Sequence, residues 1–119
     1  MPILGISMSP TGDEAIVLLG SGTDPQYPYQ SHCLRSGDLW YEGIGGNGPG
    51  WLSNEEAEEG NLGVATDWGE APQGSRAAIV EFQGREHEVQ IRNGFYLFAA
   101  WGIPDSASDE HPVVRRFID

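Results

Sequence analysis

The sequence predicts an all-β fold: an antiparallel two-sheet sandwich of eight or nine short strands with one short exposed helical turn. Three observations carry that prediction. Apolar residues recur at every second position in short runs, the spacing of a half-buried strand rather than of a helix. Turn-forming residues separate these runs, drawn from 17 glycines and 8 prolines spread along 119 residues, as many tight turns require. Four Trp, four Tyr and four Phe are core formers that a disordered acidic chain seldom carries. A chain of this length fits one hydrophobic core, so residues 1–119 are read as a single all-β domain.

The elements follow in order. Residues 3–9 and 14–19 are apolar runs flanking the turn-rich quartet Pro10-Thr11-Gly12-Asp13, a hairpin pattern. Residues 29–35 and 39–44 flank Ser36-Gly37-Asp38 in the same way. Residues 53–59 predict the helical turn. Ser53 and Glu56 form a capping box, Leu52 and Ala57 staple across it, and Gly60 ends it. Residues 61–68 place Leu62, Val64, Thr66 and Trp68 on one face, with Gly63, Ala65 and Asp67 opposite. The clearest stretch is 75–101, which predicts a three-strand meander. Ala78, Val80 and Phe82 form one apolar face. His87, Val89 and Ile91 then alternate with Glu86, Glu88, Gln90 and Arg92, which makes His87 a partly buried structural residue. Asn93-Gly94 marks a tight turn, because a type I′ turn needs φ > 0 at both central positions. Residues 113–118 predict the last strand.

From Trp68-Gly69-Glu70-Ala71-Pro72-Gln73-Gly74-Ser75 through that meander, the chain resembles the closing strands of bacterial immunoglobulin-like domains. The resemblance covers about the last sixty residues and rests on architecture. It implies an immunoglobulin-like scaffold, without the Cys…Trp…Cys framework of antibody-type domains, and it implies no activity.

The net charge is −12, from 18 acids against six arginines and no lysine. Residues 1–75 hold eleven acids against Arg35, a balance of −10, and residues 76–119 hold seven against five arginines, a balance of −2. So negative a field repels phosphate backbones and anionic lipid, which argues against nucleic-acid partners and membrane surfaces. The partners it fits are basic proteins, cations or neutral ligands such as sugars, and the alternative reading is a charge that serves solubility alone. No stretch is apolar enough to insert into a membrane. The start of the chain lacks the basic region and long apolar run of a signal peptide, so the expected location is cytoplasmic, or extracytoplasmic if a leader or anchor has been removed.

Several motifs carry potential chemistry. Gly43, Gly45 and Gly48 match G-x-G-x-x-G, but Pro49-Gly50 follows where a phosphate site needs a helix N-terminus. The stretch from Gly43 to Trp51 reads instead as a long flexible connection of the kind that often carries function, with Asn47 as a partner-binding residue and Trp51 as either an exposed recognition aromatic or a cap on the core. Glu55, Glu56, Glu58 and Glu59 follow as a compact negative patch that suits arginines on a partner. Asp105, Asp109 and Glu110 lie in an oxygen-rich loop that suggests a loose calcium site, though it lacks the EF-hand pattern. His32 and Cys33 are adjacent, which puts them on opposite faces of a strand. No G-x-S-x-G, H-E-x-x-H or C-x-x-C occurs.

The function these residues favour is a non-enzymatic interaction module. It would bind a protein partner through the acidic face and the Gly-rich loop, as an inhibitor or immunity-type protein does. No cofactor is expected apart from calcium. A carbohydrate- or calcium-binding module of an extracytoplasmic protein, with Trp51 or Trp40 stacking on sugar, is one alternative. A small enzyme or ligand-binding barrel, with polar groups around His32, His87 or Asp67, is the other.

Overall fold

A computed structural model describes residues 2–23, 27–46, 48–53 and 62–119. The antiparallel, all-β, sandwich-like architecture expected from the sequence is the one observed. The described residues form ten strands: β1 Ile3–Met8, β2 Glu14–Leu19, β3 Tyr29–Ser36, β4 Leu39–Gly46, β5 Trp51–Leu52, β6 Leu62–Glu70, β7 Ala77–Phe82, β8 Arg85–Gln90, β9 Phe95–Pro104 and β10 Val113–Ile118. One 3₁₀ turn, Asp105–Ala107, sits in the loop before β10. The helical turn expected at 53–59 lies outside the described residues apart from Ser53.

Hydrogen bonding groups the strands into three antiparallel ladders where two were expected: β1-β2-β3-β4, β5-β6-β9 and β10-β7-β8. The β5-β6-β9 ladder lies between the other two. Phe95 joins Leu4 and Leu18 in one apolar cluster, with Leu97 and Trp68 packed against it. Tyr96 and Phe98 join Ala78, Val80 and Phe82 in the other. Successive β9 side chains therefore enter opposite layers, as strand geometry requires.

That layering corrects the three-strand meander. β7 and β8 form the expected hairpin through Gln83-Gly84, and Asn93-Gly94 makes the second tight turn. All four residues have positive φ, the geometry a two-residue type I′ turn demands. Reciprocal bonds between Arg92 and Phe95 close the second turn at 2.9 and 3.0 Å. Beyond it, however, β9 pairs with β6 and not with β8. The reason is burial. Phe95-Tyr96-Leu97-Phe98 is apolar on both faces and needs cover on both, whereas Arg85, Glu86, Glu88 and Gln90 of β8 are exposed. His87 is exposed too, and not half-buried, although its ring stacks 5.1 Å from that of Phe98.

Two further features depart from simple alternation. A register shift between Gly63 and Val64 leaves Leu62 exposed while Val64, Ala65 and Thr66 are all buried, as a bulge in a central strand allows. The stretch read as a loop from Gly43 is strand as far as Gly46.

Gln83 occupies a left-handed position with φ 51° that costs an ordinary L-residue about 1–2 kcal/mol. Gln83→Asn should raise the unfolding free energy by about 0.5–1 kcal/mol, measured by urea denaturation, because asparagine tolerates that region.

Candidate functional site

The β1–β4 ladder has an inner face that meets the central ladder and an outer face on which, among the described residues, no other ladder packs. On the inner face Ile16, Leu18, Gln30 and His32 are almost fully buried. An outer face of this kind is ordinarily polar. Here the register aligns Ile3, Leu19 and Tyr29, then Ile6, Val17 and Ser31, then Met8, Ala15 and Cys33 across three strands. Ile6 is 49% exposed and Met8 52%. Trp40, paired with Arg35, extends the same face toward the tip of the β3–β4 hairpin. Leu39 and Tyr41 project, exposed, from the other side of that tip.

The carboxylate on this face is tied down. Glu42 accepts from the Tyr29 hydroxyl at 2.9 Å and from the Ser31 hydroxyl. The hydrogen bond to Glu42 also holds the Tyr29 phenol above its ordinary range. Gly45 makes room for this arrangement, because a Cβ there would collide with the Tyr29 ring.

Polar side chains join the layers beneath. Gln30 Oε1 accepts from Thr66 Oγ1 at 2.7 Å and from Trp68 Nε1 at 2.9 Å, linking β3 to β6. Tyr96 donates its hydroxyl to Asp67 at 3.0 Å. Burial pushes the Asp67 carboxyl up, with that bond opposing, and burial together with the Asp67 charge pushes the Tyr96 phenol up. His32 Nε2 donates to Glu14 Oε1 at 3.0 Å, and its ring lies 5.9 Å from that of Trp101. Trp101 Nε1 donates in turn to Ser7 Oγ at 3.2 Å.

His32 has a consequence for stability. Burial holds its imidazole below the ordinary range, and the opposing pull of Glu14 does not reverse this. The Glu14–His32 contact is therefore a hydrogen bond from a neutral ring. Below about pH 6.5 the unfolded chain binds a proton that folded His32 refuses, so stability falls as pH falls, by at most about 1.4 kcal/mol per pH unit. Urea unfolding at pH 7.5 and 5.5 should show the wild type losing more stability over that interval than His32→Gln.

Clefts open on the surface of the described residues. One, of about 270 Å³, lies at the β1–β2 turn among Ser9, Thr11, Glu14, Leu62 and Trp101. A second, of about 420 Å³, runs between β1 and β8 over Leu97, Phe98 and Ala99 of β9. A third, of about 450 Å³, lies beside the β7–β8 turn at Phe82, Arg85 and His87. His32 is 1% exposed, sealed behind the first of them. Cys33 lies on the outer face, opposite His32, so the two neighbours cannot act on one atom.

The residues singled out from sequence fare unequally. Trp51 is not an exposed recognition aromatic. It is half-buried, packs against the core of the central ladder and donates Nε1 to the Ile103 carbonyl at 2.9 Å. Asn47, Glu55, Glu56, Glu58 and Glu59 lie outside the described residues. Asp105, Asp109 and Glu110 do not gather, since no group of three His, Cys, Asp or Glu side chains placed to hold a metal exists among the described residues. Glu110 instead accepts from Gln83 Nε2 at 3.1 Å. No helix among the described residues is long and apolar enough to cross a membrane.

Sequence reasoning missed Ile6 and Met8 as outward residues, whereas Trp40, which the carbohydrate-binding alternative placed in the open, is exposed. The period-two spacing of Ile6 and Met8 was visible, but spacing alone does not say which face turns outward. No protein-family model matches the chain, and no curated protein or solved structure matches it either.

Proposed function

We propose that the chain is a non-enzymatic interaction module that docks a basic protein partner on the outer face of the β1–β4 ladder. The observation that carries this reading is the exposed apolar strip of Ile3, Ile6, Met8 and Trp40. Burying each such side chain against a partner contributes about 1.5–3 kcal/mol, and single-sided apolar sheet faces of this kind mark interaction sites.

Charge selects the partner. Arg115 pairs with Glu81 at 3.0 Å and Arg116 with Glu86 at 3.1 Å, both in the β10-β7-β8 ladder. The excess of acids therefore sits in the first 75 residues, which include the whole β1–β4 ladder. A second copy would bring another charge of −12 against the first, whereas a basic protein is attracted and steered. The cluster Glu55, Glu56, Glu58 and Glu59 adds to that field. An inhibitor or immunity-type role is the concrete form of this reading.

The test uses the immobilised chain to recover basic proteins, followed by titration of each purified pair. A true partner should bind at least tenfold more weakly in 300 mM than in 50 mM salt. It should also bind at least tenfold more weakly to the Ile6→Ser, Met8→Ser double variant, whose thermal midpoint stays near that of the wild type. If every recovered protein binds the double variant as well as the wild type, the proposed surface is wrong.

A further inference from the structure

We infer that the cleft at the β1–β2 turn is a binding site for a small primary alkylammonium ion. The inference stands apart from the docking surface, because Glu14 belongs to the inner face of its ladder.

The cleft has the two halves such a ligand needs. Its polar side carries the Glu14 carboxylate and the hydroxyls of Ser9 and Thr11, and its apolar side carries Trp101 and Leu62 beside the backbone of Gly63 and Gly102. Its volume of about 270 Å³ is several times the ~30 Å³ share of one water molecule. A primary ammonium has three N–H donors and no acceptor, and the polar side offers acceptors. The Ser9 and Thr11 oxygens lie 3.3 Å apart, and Ser9 Oγ already accepts from the Glu14 amide at 3.1 Å. That bond fixes the turn carrying both hydroxyls. An indole beside a carboxylate suits a cation with an apolar stem, since the ring's apolar surface covers the carbons while the carboxylate meets the charge.

Charge supports the same ligand. His32 uses one of roughly four lone-pair sites on the Glu14 carboxylate. Because burial keeps that imidazole neutral, His32 brings no positive charge of its own to the cleft. No arginine lines the cleft, and the chain contains no lysine to place an ammonium of its own there. A net charge of −12 raises the local concentration of small cations in such a recess.

The test is a titration of ¹⁵N-labelled protein with n-butylammonium chloride at constant ionic strength, reading the indole N–H resonance of Trp101. 1-Butanol and tetramethylammonium chloride are the comparators. The expected result is a saturable shift with n-butylammonium, at least tenfold weaker binding in Glu14→Gln, and no saturable shift with 1-butanol. Glutamine still accepts from His32. Thr11→Val, on the exposed turn, should weaken binding at least threefold and serves wherever Glu14→Gln disturbs the rest of the spectrum. Equal binding of 1-butanol would overturn the requirement for charge. Binding of tetramethylammonium as tightly as of n-butylammonium would overturn recognition by N–H donation. An unchanged affinity in both variants would overturn the site.

Discussion

Replacing Gln30 with alanine is expected to lower the unfolding free energy by about 2–4 kcal/mol, a large fraction of the ~5–15 kcal/mol that holds a typical domain together. Gln30 is 2% exposed and its Oε1 accepts two hydrogen bonds from β6, one from the Thr66 hydroxyl and one from the Trp68 indole. Alanine removes that acceptor and leaves a cavity between two ladders. The two donors respond differently. The Thr66 hydroxyl lies 3.1 Å from the Gly50 carbonyl and can rotate to it, so its loss is partly made good. Among the described residues the Trp68 N–H donates to Gln30 alone, and an unpaired buried donor costs about 1–3 kcal/mol. The cavity contributes the rest. Gln30→Met fills the volume without supplying a carbonyl, so it should recover the cavity part only. Urea denaturation with an unchanged m-value would verify this. A loss below about 1 kcal/mol for alanine would mean that water replaces the carbonyl.

Local turn chemistry was the most legible part of the fold. Pro10 to Asp13, Ser36-Gly37-Asp38, Gln83-Gly84 and Asn93-Gly94 each join the strand pair or corner that their residues imply. Pairing beyond nearest neighbours was harder. β8 and β9 are joined by an ideal hairpin turn and yet belong to different ladders, because a turn specifies local geometry while burial decides partners. The clue lay in composition. Glu86 and Glu88 alternate with His87 and Val89, the pattern of one covered face. Phe95 through Phe98 does not alternate, the pattern of a strand covered on both. Asn93 strengthens the corner by donating Nδ2 to the Ile3 carbonyl at 2.7 Å, a contact across ninety positions that no local pattern announces.

The candidate surfaces were less legible for the same reason. Ile6 and Met8 look like core residues by type and spacing, and only the register of three strands puts them outside. Ser9, Glu14 and His32 lie most of the chain away from Trp101 and share no motif with it. The two tryptophans show the point from opposite directions. Trp51, at the end of a glycine-rich stretch, looks like a recognition residue and is an anchor. Trp101, at the end of an apolar run, looks like a core residue and lines a cleft.

Glycines in and around that stretch divide into those that hold an aromatic ring and those that hold nothing. Gly63→Ala is expected to destabilise the protein by about 2–3 kcal/mol, the cost of forcing atoms into a packed site. A Cβ at Gly63 would sit 2.5 Å from the Leu52 carbonyl oxygen and 2.6 Å from the Trp51 ring. The carbonyl cannot yield, because it belongs to the two-residue strand β5, which pairs with β6 at Trp51↔Ala65 and Leu52↔Val64. Relief would have to come from Trp51 leaving the Ile103 carbonyl, which would detach β5 from the central ladder. Gly48→Ala provides the contrast. A Cβ there meets nothing within 4 Å and its φ is not left-handed, so alanine should stabilise by about 0.4–1 kcal/mol by restricting the unfolded chain. Hydrogen exchange at the Trp51 indole should rise sharply in Gly63→Ala and stay unchanged in Gly48→Ala. Equal exchange in the two variants would show that Trp51 is not what keeps position 63 a glycine.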